Sequence, residues 1–87
     1  MLLKDFMNIY QKTFGHLVVS LINNDYDETD LNSSYSSTIV CMEANPSDSR
    51  FLDAIDKLTT NLGNCKVERI DDVYTSTYIY IKKNKEI

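Results

Sequence analysis

The chain has no tryptophan, one proline (Pro46), one histidine (His16) and two glycines, Gly15 and Gly63. So few glycines exclude a glycine-rich phosphate loop, which needs several in one turn. A lone histidine leaves no metal-ligating motif and no Ser/His/Asp or Cys/His arrangement, so His16 reads as a structural residue. The cysteines, Cys41 and Cys65, lie far apart in apolar runs without CxxC spacing. That excludes a disulfide-dense scaffold and points to two reduced, buried thiols, with a single Cys41–Cys65 bridge as the alternative. No apolar run approaches the roughly 20 residues of a membrane span. The opening MLLKDFMNIYQKTF is interrupted by Asp5, Asn8, Gln11 and Lys12, so it lacks the continuous apolar core of a signal peptide. A soluble, cytoplasmic protein without metal or cofactor is expected.

Positive charge is also scarce. Nine Lys and Arg face thirteen Asp and Glu, for a net charge of −4. The chain lacks the basic footprint of a direct nucleic-acid binder, and anionic membranes would repel it. The same charge suits a larger partner with a basic surface, although it also serves simple solubility.

What is present fits one α+β domain spanning residues 1–87, with 43% apolar and 25% charged residues. A domain this small gains from dimerisation. Residues 2–23 place Leu2, Leu3, Phe6, Met7, Tyr10, Phe14, Leu17, Val18, Leu21 and Ile22 at helical spacing. Lys4, Asp5, Asn8, Lys12 and His16 fall opposite. The in-phase spacing favours one long helix. The competing reading stops the helix at Thr13 or Phe14, caps it with Gly15 and makes HLVVSLI a buried strand. STIVCMEA (37–44) reads as a central strand, apolar on both faces. NPSDSRFLDAIDKLTTNLG reads as a helix with Asn45 as N-cap, Pro46 in the first turn and Gly63 as the stop. Its apolar stripe is Phe51, Leu52, Ile55, Leu58 and Leu62.

CKVERI and VYTSTYIYIKK then form a hairpin about Asp71-Asp72. A three-residue connection with a bulge is favoured, because it gathers the aliphatic residues on one face. The sequence therefore predicts a long or Gly15-interrupted helix followed by β-α-β-β, a three-stranded sheet with two helices. The alternative is αββαββ with four strands. The strand at 37–44, the second helix and the strand at 65–70 would make a right-handed crossover.

Two surfaces are candidates for partner binding. The segment 23–37 is a polar, acidic loop carrying Asp25, Tyr26, Asp27, Glu28, Asp30 and Tyr35. A loop of this length in a compact domain is often functional. It is no calcium loop, because Asp30 replaces the required glycine and Ser36 the bidentate glutamate. The second surface is the last strand, where Tyr74, Tyr78 and Tyr80 share one face opposite Val73, Ile79 and Ile81. Tyrosine is enriched at interfaces, yet the N-terminal helix covering these rings is the simpler arrangement. The adjacent Asp71 and Asp72 read as turn residues and not as an acid–base pair. Lys82, Lys83 and Lys85 read as guards of an edge strand.

Together these features lead to a non-enzymatic, protein-binding protein that meets basic residues of a larger partner through the acidic loop. Lysine exceeds arginine and asparagine is abundant, as in AT-rich genomes. A phage or mobile-element inhibitor of a host nucleic-acid-handling protein, of the anti-CRISPR kind, is the concrete version. An obligate homodimer or small structural subunit, joined through the tyrosine strand or the first helix, is the alternative.

Overall fold

The computed structural model describes residues 1–10 and 15–83. Its elements are α1 (Leu3–Ile9), β1 (His16–Ile22), β2 (Ser36–Glu43), α2 (Ser49–Leu62), β3 (Lys66–Val73) and β4 (Ser76–Lys82). This is the αββαββ order with two helices and a four-stranded mixed sheet. The single long helix is not formed. Gly15 has φ of 88°, a left-handed conformation that suits glycine, and HLVVSLI runs on as a strand. Phe14 and Lys12, expected on the two faces of that helix, and Lys85 of the basic tail lie outside the described residues.

The strand order is β2-β1-β4-β3. β1 and β4 run parallel in the centre, and β2 and β3 pair antiparallel on the flanks. β2 is therefore an edge strand and not a central one, because β1 takes the middle. Ile39 and Cys41 are exposed as a result, so only Cys65 is a buried thiol; both are free. β4 is paired on both sides, so Lys82 and Lys83 guard no edge. The crossover from β2 through α2 to β3 spans both central strands instead of joining neighbours.

Both helices cover the same face. Leu17, Val19, Ile79 and Ile81 present side chains without solvent contact, and Leu3, Phe51 and Leu58 pack on them from the helices. The shortest dimension, 19 Å, fits one sheet and one layer of helices. The amphipathic stripe explains α2 except at Leu52, which is half exposed at 52%. The N-cap is Asp48 and not Asn45: Asp48 Oδ1 accepts from Arg50 N at 2.9 Å, while Asn45 Oδ1 closes an earlier turn at Ser47 N. Pro46 lies ahead of the helix.

Gly63 ends α2 in a right-handed conformation, φ −60°, and not in the left-handed turn usual for a glycine stop. What it supplies is room. A Cβ there would collide with the Thr59 carbonyl oxygen and stand 3.1 Å from Lys4 Cβ. The start of α1 docks at this point: Lys4 N donates to Gly63 O at 3.0 Å and Leu3 N to Cys65 O at 2.9 Å. Two amides left over at a helix N-terminus thus find acceptors at the end of α2.

The β3–β4 hairpin turns at Tyr74-Thr75, not at Asp71-Asp72. The aspartates stay in β3 because their carboxylates are satisfied there. Arg69 Nε lies 2.9 Å from Asp71 Oδ2, and Thr77 Oγ1 donates to Asp72 Oδ1 at 3.2 Å. The connection has two residues and not the three expected; the bulge lies inside β3, at Glu68, where Val67 pairs with Ile81 and Arg69 with Tyr80. It gathers Val67 with the buried isoleucines, as the aliphatic pattern requires.

Candidate interaction face

The sheet face away from the helices takes its side chains from the alternate residues. One row across it is Cys41, Val18, Tyr78 and Asp71; the next is Thr38, Ser20, Tyr80 and Arg69. Tyr78 and Tyr80 are half-buried, and neither helix covers them. The expected cover by the N-terminal helix is absent because α1 packs on α2 and β3 over the aliphatic face. Tyr74 does not belong to this face. It sits in the hairpin turn with φ of 54° and is fully exposed, a conformation that costs a non-glycine residue about 1–2 kcal/mol.

The acidic loop comes back over this face. Tyr26 and Tyr35 meet edge to face with ring centroids 5.4 Å apart, and Tyr35 lies 6.4 Å from Tyr80. The Arg69 guanidinium stacks over the Tyr80 ring at 4.5 Å. Asp71 beside it, first, and the Tyr80 hydroxyl, to a lesser degree, push the Arg69 pKa up. Ser20, next to Tyr80 on β1, keeps 6% of its surface. The structure thus joins Tyr26, Tyr35 and Tyr80 in one aromatic line, with Tyr78 one row away and Tyr74 at the opposite end of the sheet.

The loop is ordered by its own polar groups. Asn23 clamps its base, donating from N to Tyr35 O at 2.9 Å and from Nδ2 to Ser34 O at 2.7 Å. Asp27 Oδ1 accepts from Thr29 N at 2.9 Å and from Thr29 Oγ1 at 2.7 Å, and Asp27 N donates to Ser33 Oγ at 2.9 Å. Asp30 Oδ1 accepts from Asn32 N at 2.9 Å. The Thr29 hydrogen bonds hold the Asp27 carboxyl below its usual range, so its charge persists into mild acid. Asp25 and Glu28 are exposed and stand outside these bonds. They are the carboxylates open to a partner on every side, while Asp27 and Asp30 also shape the loop.

Two residues of this face escape a reading of the sequence. Arg69 joins only through the bulge that brings it opposite Tyr80. Leu31, fully exposed at the loop tip, is hidden among polar neighbours. Farther along the same face Ser76, His16 and Glu43 fall in one row. No hydrogen bond links their side chains. Among the described residues no three His, Cys, Asp or Glu are placed to hold a metal ion, and no helix is long and apolar enough to cross a membrane. Comparison with known protein families, curated proteins and solved structures gives no significant match.

Proposed function

We propose that the chain is a non-enzymatic protein-binding protein whose contact surface is the acidic loop together with the uncovered tyrosine face. Its partner is a larger protein with a basic surface. The observation that carries this reading is the loop itself: exposed carboxylates on a segment locked by its own hydrogen bonds and backed by Tyr26, Tyr35 and Tyr80. A loop ordered before binding loses little conformational entropy on docking. Opposed lysines and arginines would speed encounter and fix orientation. The tyrosines supply the amphipathic area common in binding hot spots. The narrower version, a phage or mobile-element inhibitor that occupies the basic groove of a nucleic-acid-handling host protein, rests on size and charge alone.

Affinity capture from a candidate host lysate at low and high salt tests the reading. The wild type is compared with a variant in which Asp25, Asp27, Glu28 and Asp30 become Asn or Gln, and with a second carrying only Asp25→Asn and Glu28→Gln. The double variant leaves the loop's hydrogen bonds intact. A partner lost at high salt and with both variants supports the acidic contact. One retained throughout overturns it.

A further inference from the structure

The first residues of the chain pair with the free side of β3. Leu2 bridges antiparallel to Lys66. Val67 N donates to Met1 O at 2.8 Å, and Leu3 N to Cys65 O at 2.9 Å. The pairing stops there, because the bulge at Glu68 follows at once and the rest of that edge is crowded with charge. Leu3 completes the contact: its side chain has no solvent exposure and belongs to one cluster with Phe51, Leu58 and Ile81. α1 continues from this strand and holds on by little else. Seven residues are too few for a helix to stand alone. Leu2 offers no side-chain cap, and the last turn has no basic residue to meet the dipole. Phe6 and Met7 are only partly buried, and Met1 and Ile9 are exposed. The sheet depends less on α1 than α1 on the sheet, since β1 and β4 are paired on both sides and α2 lays Phe51 and Leu58 over the same face.

We propose that residues 1–9 are a releasable strap, and that the place they fill is a docking site for an extended, leucine-bearing segment of a partner protein. The strap itself shows what fits: a strand in antiparallel register with residues 65–67, a carbonyl facing Val67 N and a leucine side chain sunk in the core. Backbone pairing gives such a contact affinity, and the pocket for one side chain gives it selectivity. With the strap in place the site is closed, so the chain inhibits its own contact. An element held by few buried groups opens locally while the rest stays folded. The site lies on the β3 edge and the helix side of the sheet, away from the tyrosine face, and does not rest on the acidic-loop reading.

Native-state hydrogen exchange on the wild-type chain tests the release. The amides of Leu3, Lys4 and Val67 are expected to exchange together, roughly tenfold or more faster than those of Leu17 and Ile79. Val67 is the telling probe, because it belongs to β3 yet donates to the strap. Docking is read by fluorescence anisotropy with a labelled peptide of residues 1–9, added to the folded Leu3→Ser chain, whose own strap is weakened. The native peptide is expected to bind roughly tenfold or more tightly than the same peptide carrying Leu3→Ser, and to slow exchange at Val67. Leu3→Ala takes the place of Leu3→Ser in the chain if the latter fails to fold. Exchange of the strap amides and Val67 at the rate of the core overturns the release. No binding of the native peptide to the folded variant, or equal binding of the two peptides, overturns the docking site. A wild type that forms a dimer dispersed by excess peptide also overturns it, by giving the vacated place to the strap of a second copy.

Discussion

Tyr35 leaves the acidic loop and sets its ring 6.4 Å from that of Tyr80 in the middle of the sheet. Loop and sheet meet at this pair of rings, and a double-mutant cycle measures the energy of the link. Tyr35→Ala and Tyr80→Ala are expected to show a coupling of about 0.5–1.5 kcal/mol in urea unfolding. Tyr35→Phe, which keeps the ring, retains most of it. Additive single losses would show that the rings are neighbours without mutual stabilisation.

Tyr10 packs partly buried against the core with its hydroxyl turned inward. It is enclosed at the end of α1, and among the described residues no hydrogen bond of good geometry reaches it. Burial pushes its pKa up; Thr77 alongside offsets part of that rise, and the Asp72 charge adds to it. With a folded pKa above the unfolded one, stability is intact below the ordinary tyrosine range and is lost as pH rises through the folded value. Tyr10→Phe is expected to be neutral or slightly stabilising near pH 7. It should also flatten the loss of stability above about pH 10. Urea midpoints at the two pH values decide the point, and a clear destabilisation near neutrality would contradict the orphaned hydroxyl.

The cysteines should differ in reactivity. Cys41 is exposed on β2, whereas Cys65 is buried and burial raises its pKa, with Lys83 pulling weakly the other way. A thiol reagent is expected to modify one cysteine per native chain quickly and the second only after unfolding. Mass spectrometry of the labelled peptides identifies which.

Gly63→Ala is expected to cost about 1–3 kcal/mol, the range for overpacking a closed site. The added methyl meets the Thr59 carbonyl oxygen and presses on Lys4. Because Lys4 N and Leu3 N bond at this junction, the variant should also raise hydrogen exchange at those two amides more than at Leu17 or Ile79. Uniform acceleration across the chain would mean that α1 is not separately loosened.

α2 was legible because its apolar stripe and the glycine at its end lie within one element, although it starts at Asp48 and not at Asn45. The acidic loop was legible from composition, though not its fold, which depends on pairings such as Asp27 with Ser33. β1 was harder. Leu17, Val18, Leu21 and Ile22 satisfy a helical period as well as a strand, and the decision comes from β4, where His16 pairs with Ser76. Local sequence holds no record of so distant a neighbour. The Tyr74 turn was misplaced for a related reason. It lacks the glycine or asparagine that marks such turns, and Asp71-Asp72 offers that chemistry without using it. Once the turn moves, Tyr74 leaves the tyrosine face and Arg69 enters it.

The parallel pairing of β1 with β4 also governs how the chain emerges during synthesis. A hairpin of β1 and β2 can close within microseconds. At about 5–20 residues per second, the stretch from His16 to Ser76 takes several seconds to appear. Throughout that interval one whole side of β1, the most apolar strand, has no native neighbour. The nascent protein therefore spends its early life with its future centre as an open edge, and any chaperone that shields it should act on HLVVSLI before β4 arrives.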